Sequence, residues 1–345
     1  MNLPAVDVYG ATGHTGKFVL RELERRGFAT VPIGRNHQLV ASDGRPSYRG
    51  PWRQAACDDP DALDAALDGV AAVINCAGPF LDTAPAVVEA ALHRRIHYFD
   101  ITAEQRSARQ SLATYQEEAR QCGTVVVPAF AFFGGLADLL AAEVTRDVRS
   151  LVRIEVGVAL DSWHPTAGTR KTGERNAARR LIIEGGALSP LPHPGPMREW
   201  LFPEPFGLQP VRAVPLSEII TISRHIAAPN ICSYMNMAPL RDLNDGQVSA
   251  PHASDPSGRS SQRFIMHVCA LSTDDRSEIA AAGRDIYAVT APLVVEACVR
   301  VLRTPPAAGG TFAPAELFDT TDFLAALSAD LRITRARGAL RPTEQ

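Results

Sequence analysis

The sequence lacks any C-x-x-C pair and any Cys/His cluster at zinc-ligand spacing. Its six cysteines (Cys57, Cys76, Cys122, Cys232, Cys269 and Cys298) are widely scattered. That excludes a disulfide-dense scaffold and reads as reduced thiols in a cytoplasmic protein. There is no strong charge imbalance: 35 basic and 38 acidic residues leave a net charge of −3. Such a balance leaves no electrostatic footprint for nucleic acid or an anionic membrane. An unbroken apolar run long enough to cross a bilayer is also missing. The most apolar stretch, TVVVPAFAFFGGLADLLAAEV (124–144), contains Pro128, Gly134, Gly135 and Asp138. A buried strand, a loop and a helix are expected there, with no membrane span. A first strand expected from about residue 6 leaves no room for a signal peptide. Repeats and low-complexity tracts are absent as well.

What is present has the texture of a two-domain globular protein. With 345 residues the chain has room for two cores, and 46% hydrophobic residues is ordinary for one. Up to Pro128, apolar runs alternate with helical patterns. Strands are expected at Val6–Tyr9, Ala29–Ile33, Arg53–Cys57, Ala71–Asn75, Ile96–Ile101 and Thr124–Val127. Helices are expected at Thr15–Arg26, Pro60–Leu67 and Thr83–His93, and from a T-x-x-Q capping box at 102–105 to about Gln121. Asp7 is an awkward polar residue for a central strand. Strands separated by helices mean β-α-β units and a parallel sheet, so the fold class is α/β with a doubly wound Rossmann-type first domain.

Beyond Pro128 the pattern changes to that of a second, α+β domain. A helix over Gly135–Arg146 and a strand over Val152–Leu160 are followed by a polar segment, PTAGTRKTGERNAARRLIIEGG, that enters a helix. The proline-rich stretch 188–216 predicts loops and edge strands. Arg263–Leu271 and Glu278–Tyr287 predict an antiparallel hairpin, and Val289–Leu302 an apolar helix. The expected division is a dinucleotide-binding domain at 1–130 and a substrate or dimerisation domain at 131–287. C-terminal helices over about 288–345 are expected to pack back on the first domain.

The chemistry begins at VYGATGHTGK, where three glycines are spaced G-x-x-G-x-x-G between a strand and a helix. Gly10 permits a sharp turn, Gly13 a close phosphate, and Gly16 tight packing of helix on strand. Gly10, Thr12, Gly13, His14, Thr15 and Gly16 are the expected phosphate cradle, because a helix start offers free N–H groups and a favourable dipole. At the end of the second strand an NAD-binding domain places an acidic residue on the ribose, and an NADP-binding domain an arginine nearby. This chain has Gly34-Arg35-Asn36 and no acidic residue until Asp43. Arg35 and Asn36 therefore favour NADP(H), the guanidinium fork pairing with a 2′-phosphate. Asp58 has two readings, an adenine contact or a helix-start carboxylate.

The segments GATGHTGK, INCAGPF (74–80), HYFDITAE (97–104) and VVVPAFAFFGGLADL (125–139) together resemble the saccharopine dehydrogenase-like NADP-binding family. That family includes saccharopine reductases and trans-acting enoyl reductases. The resemblance covers residues 6–140 and continues more faintly through AGTRKTGERNAARRLI and RDIYAVTAPLVVEACVRVL. It implies an NADPH-dependent oxidoreductase, with a second domain for a small-molecule or carrier-bound substrate. A homodimer is among its expected states. The chain departs from the family pattern at Ala103-Glu104 and between Phe132 and Ala137, keeping only Asp138 and Leu139 there. These departures imply a shifted, apolar pocket lined by Phe130, Phe132 and Phe133. The competing reading, and the commoner one for three phenylalanines in four positions, is that they belong to the core. Short-chain dehydrogenase catalysis is excluded, since no tyrosine has a lysine four residues on.

Ligands of an open parallel sheet lie beyond the carboxyl ends of its strands. Cys76, Ala77, Gly78 and Pro79 are expected along the cofactor. Tyr98 and Asp100 share one face of the fifth strand. Asp100 is read either as the proton-delivering group or as an acceptor for backbone N–H groups. Asp138 is read either as a substrate contact or as an anchor for a neighbouring loop. Arg170, Lys171 and Arg175 are candidates for gripping a carboxylate or a carrier phosphate, or are a solvated basic helix start. The expected reaction is hydride transfer to a C=N or C=C bond, and the competing reading is a non-catalytic NADPH-binding redox sensor.

Overall fold

A computed structural model describes residues 3–35, 51–175 and 178–339. The first sheet is parallel, built from β1 (Val6–Tyr9), β2 (Thr30–Gly34), β3 (Arg53–Gln54), β4 (Ala72–Asn75), β5 (His97–Asp100), β6 (Val125–Val127) and β15 (Gly310–Thr311). Their order is β15-β6-β5-β4-β1-β2-β3. Alternation along β1 explains its two covered faces. Val6 and Val8 join a core with Val19, Leu20 and Leu23 of helix α1 (His14–Arg25). Tyr9 enters a second core with Leu63 of α2 (Pro60–Ala66) and Val87 and Val88 of α3 (Phe80–His93).

Asp7 is fully buried in this sheet, and neither carboxylate oxygen has a hydrogen-bond partner. Burial pushes its pKa up to about 8, with Arg53 opposing the rise. The third strand is shorter than expected. Ala55 N still donates to the Gly34 carbonyl (3.2 Å) before the chain enters a turn, and the Arg53 side chain donates to the carbonyls of Ala66 (2.6 Å) and Asp68 (2.7 Å) at the end of α2.

The expected helix from 102 to 121 is divided at Tyr115 into α4 (Gln105–Thr114) and α5 (Gln116–Cys122). Its capping box does not form. Thr102 accepts from the Glu104 N–H, but the Gln105 side chain points the other way and pairs with both backbone groups of Leu181 at 2.8 Å. Two good backbone partners across the domain seam outcompete the reach back to the helix start. The helix expected from Gly135 begins with a wide π turn, Phe132–Leu136, before α6 (Ala137–Thr145). Gly134 allows it: a Cβ there would sit 2.5 Å from the Ala129 carbonyl.

The second sheet runs β10-β11-β12-β7-β13-β14-β16. These strands are β7 (Leu151–Leu160), β10 (Met197–Leu201), β11 (Leu208–Ala213), β12 (Asn230–Asn236), β13 (Arg263–Ser272), β14 (Asp275–Arg284) and β16 (Arg332–Ala339). A side hairpin, β8 (Leu181–Glu184) and β9 (Ala187–Pro190), pairs with β12. The β13–β14 hairpin forms as expected, but its second strand begins and ends three residues earlier than predicted, after a tighter turn. The proline-rich stretch supplies edge strand β10 and its neighbour β11. Pro210 lies outside the β11–β12 ladder, where its missing donor costs nothing.

The last part of the chain serves both domains. Helix α9 (Thr290–Arg303) packs on α1, and Arg26 bridges the two by pairing with Glu22 (2.7 Å) and with Glu296. Residues 332–339, expected among C-terminal helices, instead form β16 on the edge of the second sheet, paired with β14. Two further helical stretches complete the path to the site, α7 (Ala167–Arg175) and α8 (Glu218–His225).

Candidate functional site

The glycine loop is held by backbone geometry. Gly10 has φ +83, and a Cβ there would lie 2.8 Å from Ala77 N. It therefore serves the approach of the β4 loop as well as the turn. A Cβ on Gly16 would lie 2.4 Å from the Gly10 carbonyl, so the first turn of α1 presses on the loop. Gly13 is exposed and starts α1 with no side-chain cap. The first N–H groups of the helix are thus left for a ligand, and Thr12, His14 and Thr15 stand half-buried around them. A cradle that a Cβ would fill, at an uncapped helix start, fits a dinucleotide pyrophosphate.

At the adenosine corner Arg35 is exposed just past β2, and its charge acts on Tyr9 together with Cys57 and Asp58. Asp59 caps α2 through Ala62 N (3.0 Å), which leaves the exposed Asp58 out of the cap. Asn36 lies outside the described residues.

The β4 loop is tied at both ends. Cys76 N donates to the Tyr9 carbonyl (2.7 Å) and Ala77 N to Asn75 Oδ1 (2.9 Å). Gly78 lies so near α7 that a Cβ would be 2.8 Å from Thr172 Oγ1. Pro79 then caps α3 in extended conformation.

Cys76 and Gly78, with Thr15, line a cavity of about 250 Å³ between the two domains, beyond the carboxyl ends of β4 to β6. Phe132, Phe133, Trp163 and Leu216 give it an apolar wall. Phe130 faces away and packs on Phe318 and Phe323, so of the three expected phenylalanines only two reach the cavity.

Tyr98 and Asp100 do not line this cavity. Asp100 is fully buried and accepts from Tyr98 OH (2.9 Å), Thr102 N (2.9 Å) and Ala129 N (2.8 Å). Burial raises its pKa to about 6, with those donors opposing the rise. The bond to Ala129 matters because that residue has φ +60, a strained conformation outside glycine. Asp100 thus holds the bend that sends Ala131, Phe132 and Phe133 to the cavity wall. Asp138 does not line the cavity. It bonds His225 Nε2 (2.7 Å) and Ala315 N (2.8 Å), joining α6, α8 and the 310–318 segment.

The carboxyl group that does line the cavity is Glu104, 1% exposed. Its Oε1 accepts from Phe80 N (2.7 Å) at the start of α3, while Oε2 is buried without a partner. Burial raises its pKa. The Phe80 and Leu81 amides oppose that rise, and Asp100 and Asp82 add to it. Its sequence signal was its place in DITAE, directly after the carboxyl end of the fifth strand.

Across the cavity stands Tyr287, whose hydroxyl accepts from Trp163 Nε1 (2.8 Å) and Thr166 N (3.3 Å) and meets Thr169 Oγ1 (2.9 Å). With two N–H donors on its oxygen, its own proton goes to Thr169. Its ring stands edge-on to His14 at 5.3 Å, linking the phosphate loop to the second domain.

None of the three basic candidates of α7 lines the cavity. Arg175 pairs with Asp82 (3.0 Å) across the domain seam, Arg170 donates to the Val248 carbonyl (2.8 Å), and Lys171 is exposed. Arg180, which sequence reasoning did not single out, lines the cavity instead and donates to the Pro215 carbonyl (2.9 Å).

Elsewhere, His267, Cys269 and Glu278 cluster within 4.8 Å on the second sheet. Trp200 Nε1 donates to His267 Nδ1 (3.1 Å), so the neutral ring carries its proton on Nε2 and gives it to Glu278 (3.1 Å). Arg276 donates to the Cys269 sulfur (3.2 Å). The would-be ligand atoms are committed to one another and to a cation.

A doubly wound parallel sheet with a glycine cradle, closed at its strand ends by a second sheet, defines the class of two-domain dinucleotide-binding proteins. More particularly, residues 6–127 match the saccharopine dehydrogenase NADP binding domain, which indicates NADP(H) as the cofactor of this part of the chain. The chain is 29% identical to a saccharopine dehydrogenase-like oxidoreductase of Mus musculus over 150 residues, 38% of this chain and 35% of that protein. It is 26% identical to the Pongo abelii protein of that name over 226 residues, 56% of this chain and 52% of that protein. The matched part thus spans about a third to a half of these curated relatives. Apo saccharopine dehydrogenase (L-Glu forming) from Saccharomyces cerevisiae shares the whole architecture. Its TM-score is 0.64 at 12% identity, covering 96% of this chain and 100% of that one.

Proposed function

We propose that the chain is an NADPH-dependent reductase of a C=N bond in a small metabolite bearing a carboxylate. The observation that carries this reading is Glu104, a buried carboxyl with one unpartnered oxygen on an inter-domain cavity at the strand ends. Gly10, Gly13, Gly16 and Arg35 would hold the cofactor, which when bound supplies a hydride. The chain supplies the rest. Glu104, its pKa raised by burial, keeps a proton on Oε2 nearer to neutral pH and delivers it to the nitrogen that becomes N–H. Arg180 offers a half-buried guanidinium to the carboxylate. The Phe132, Phe133 and Trp163 wall excludes water. Asp100 is a positioning residue for that wall. Six cysteines free of disulfides support a reducing, cytoplasmic setting.

The apolar wall favours a second reading, reduction of a C=C bond in an enoyl thioester. The test is NADPH oxidation at 340 nm against imines formed from 2-oxo acids and amines, and against enoyl thioesters. Glu104→Gln should lower kcat by roughly 10²–10⁴, the usual worth of a general acid, and leave NADPH affinity unchanged. Turnover only with enoyl thioesters would replace the first reading by the second. Tight NADPH binding with no turnover of either class would favour the redox sensor.

A further inference from the structure

A second cleft, of about 380 Å³, adjoins the inter-domain cavity and shares Ala103, Arg180 and Leu216 with it. Four arginines line it: Arg106 and Arg109 from α4, and Arg179 and Arg180 just before β8. No carboxylate is among its lining residues. Like charges gathered around one cleft repel unless something offsets them. Elsewhere arginines meet carboxylates, as Arg26 with Glu22 and Arg94 with Asp64. None of these four forms an ion pair among the described residues. Arg179 donates to the Leu191 carbonyl (3.0 Å) and Arg180 to the Pro215 carbonyl (2.9 Å). Glu218 exerts some charge on Arg180 but forms no ion pair with it. Its Oε1 accepts from Ser233 Oγ and Leu216 N (2.8 Å), its Oε2 has no partner, and burial raises its pKa, which favours its neutral form. The cleft is also built in advance. Gln105 locks α4 to β8 by two bonds to Leu181, which fixes the two arginine pairs relative to each other.

We propose that this cleft is an anion subsite that takes a multiply charged phosphate or carboxylate group at the far end of the substrate. The proposal rests on the reductase reading for its substrate, since a ligand reaching from Glu104 passes Arg180 to enter the cleft. Arginine suits both anions, because its fork matches carboxylate and phosphate oxygens bidentately.

The experiment is calorimetric titration of the full chain, saturated with NADP⁺ so that the cofactor site is filled, with pyrophosphate and separately with tricarballylate. The comparison is Arg106→Gln/Arg109→Gln, two exposed helix positions where glutamine keeps the helix. Wild type should bind at least one probe at one equivalent, and the double variant roughly tenfold or more weakly, as expected on losing charge-assisted bonds. NADPH affinity should be equal in both proteins. Binding of pyrophosphate alone assigns phosphate chemistry, and of tricarballylate alone carboxylate chemistry. No binding of either probe, or equal binding by the double variant, overturns the subsite. Because the titration needs no turnover, its outcome is independent of the Glu104→Gln assay.

Discussion

Replacing Asp7 by asparagine removes an ionisable group from the middle of the parallel sheet at nearly constant shape. In the native protein this carboxyl is fully buried, without a hydrogen-bond partner, and titrates at about 8 in place of 3.8. Between these values the native state keeps a proton that the unfolded chain has released. Stability therefore falls as pH rises through this window. Below about pH 4 both states are protonated and the group contributes no slope. Above about pH 8 both are ionised and the whole penalty is present. At about 1.4 kcal/mol per pH unit, the gap corresponds to a ceiling on the order of 6 kcal/mol. Urea denaturation of wild type and Asp7→Asn at about pH 3.5, 6.5 and 8.5 is the assay. The two should nearly coincide at the lowest pH and diverge as it rises, the variant being the more stable, with unchanged m-values. Asp7→Val should add about 1–3 kcal/mol more, since it also removes the unmet polar atoms. Parallel curves for wild type and Asp7→Asn would refute the reasoning.

Two further outcomes follow from the site and its supports. Arg35→Ala should cost on the order of 1–3 kcal/mol in NADPH affinity, the worth of a charge-assisted pair, and leave NADH affinity nearly unchanged. Fluorescence titration with both cofactors checks it. Asp138→Asn should destabilise the protein by about 1–3 kcal/mol, and more at pH 6 than at pH 9. Burial lowers the His225 pKa, but the Asp138 bond and the charges of Asp138 and Glu316 outweigh it and raise the value above 6.5. That stabilisation is fully present below the unfolded value and lost as pH rises through the folded one. Thermal unfolding at the two pH values measures the difference.

The first domain was legible because its signals are local. A glycine needed at φ +83, apolar strands covered on both faces, and turn residues at strand ends all act within a few positions of themselves. Even Asp7 announced itself as out of place. The helix at 102–121 and its capping box misled because Gln105 had a better partner 76 residues away at Leu181. Residues 332–339 pair with β14 by long-range register, and short-range periodicity does not report such pairing.

The sequence by itself determined that a doubly wound parallel sheet would form, with a glycine turn leading from its first strand into a helix. Propensity, spacing and helix-end chemistry suffice for that. Only the tertiary structure decided which carboxyl faces the cavity. Asp100 and Glu104 are four residues apart and both buried, yet three donors close around Asp100 while Glu104 keeps one oxygen free. It likewise decided that Arg175 binds Asp82 whereas Arg180 reaches the cavity. A side chain's partners are set by what the fold brings within about 3 Å, and those neighbours come from distant parts of the chain.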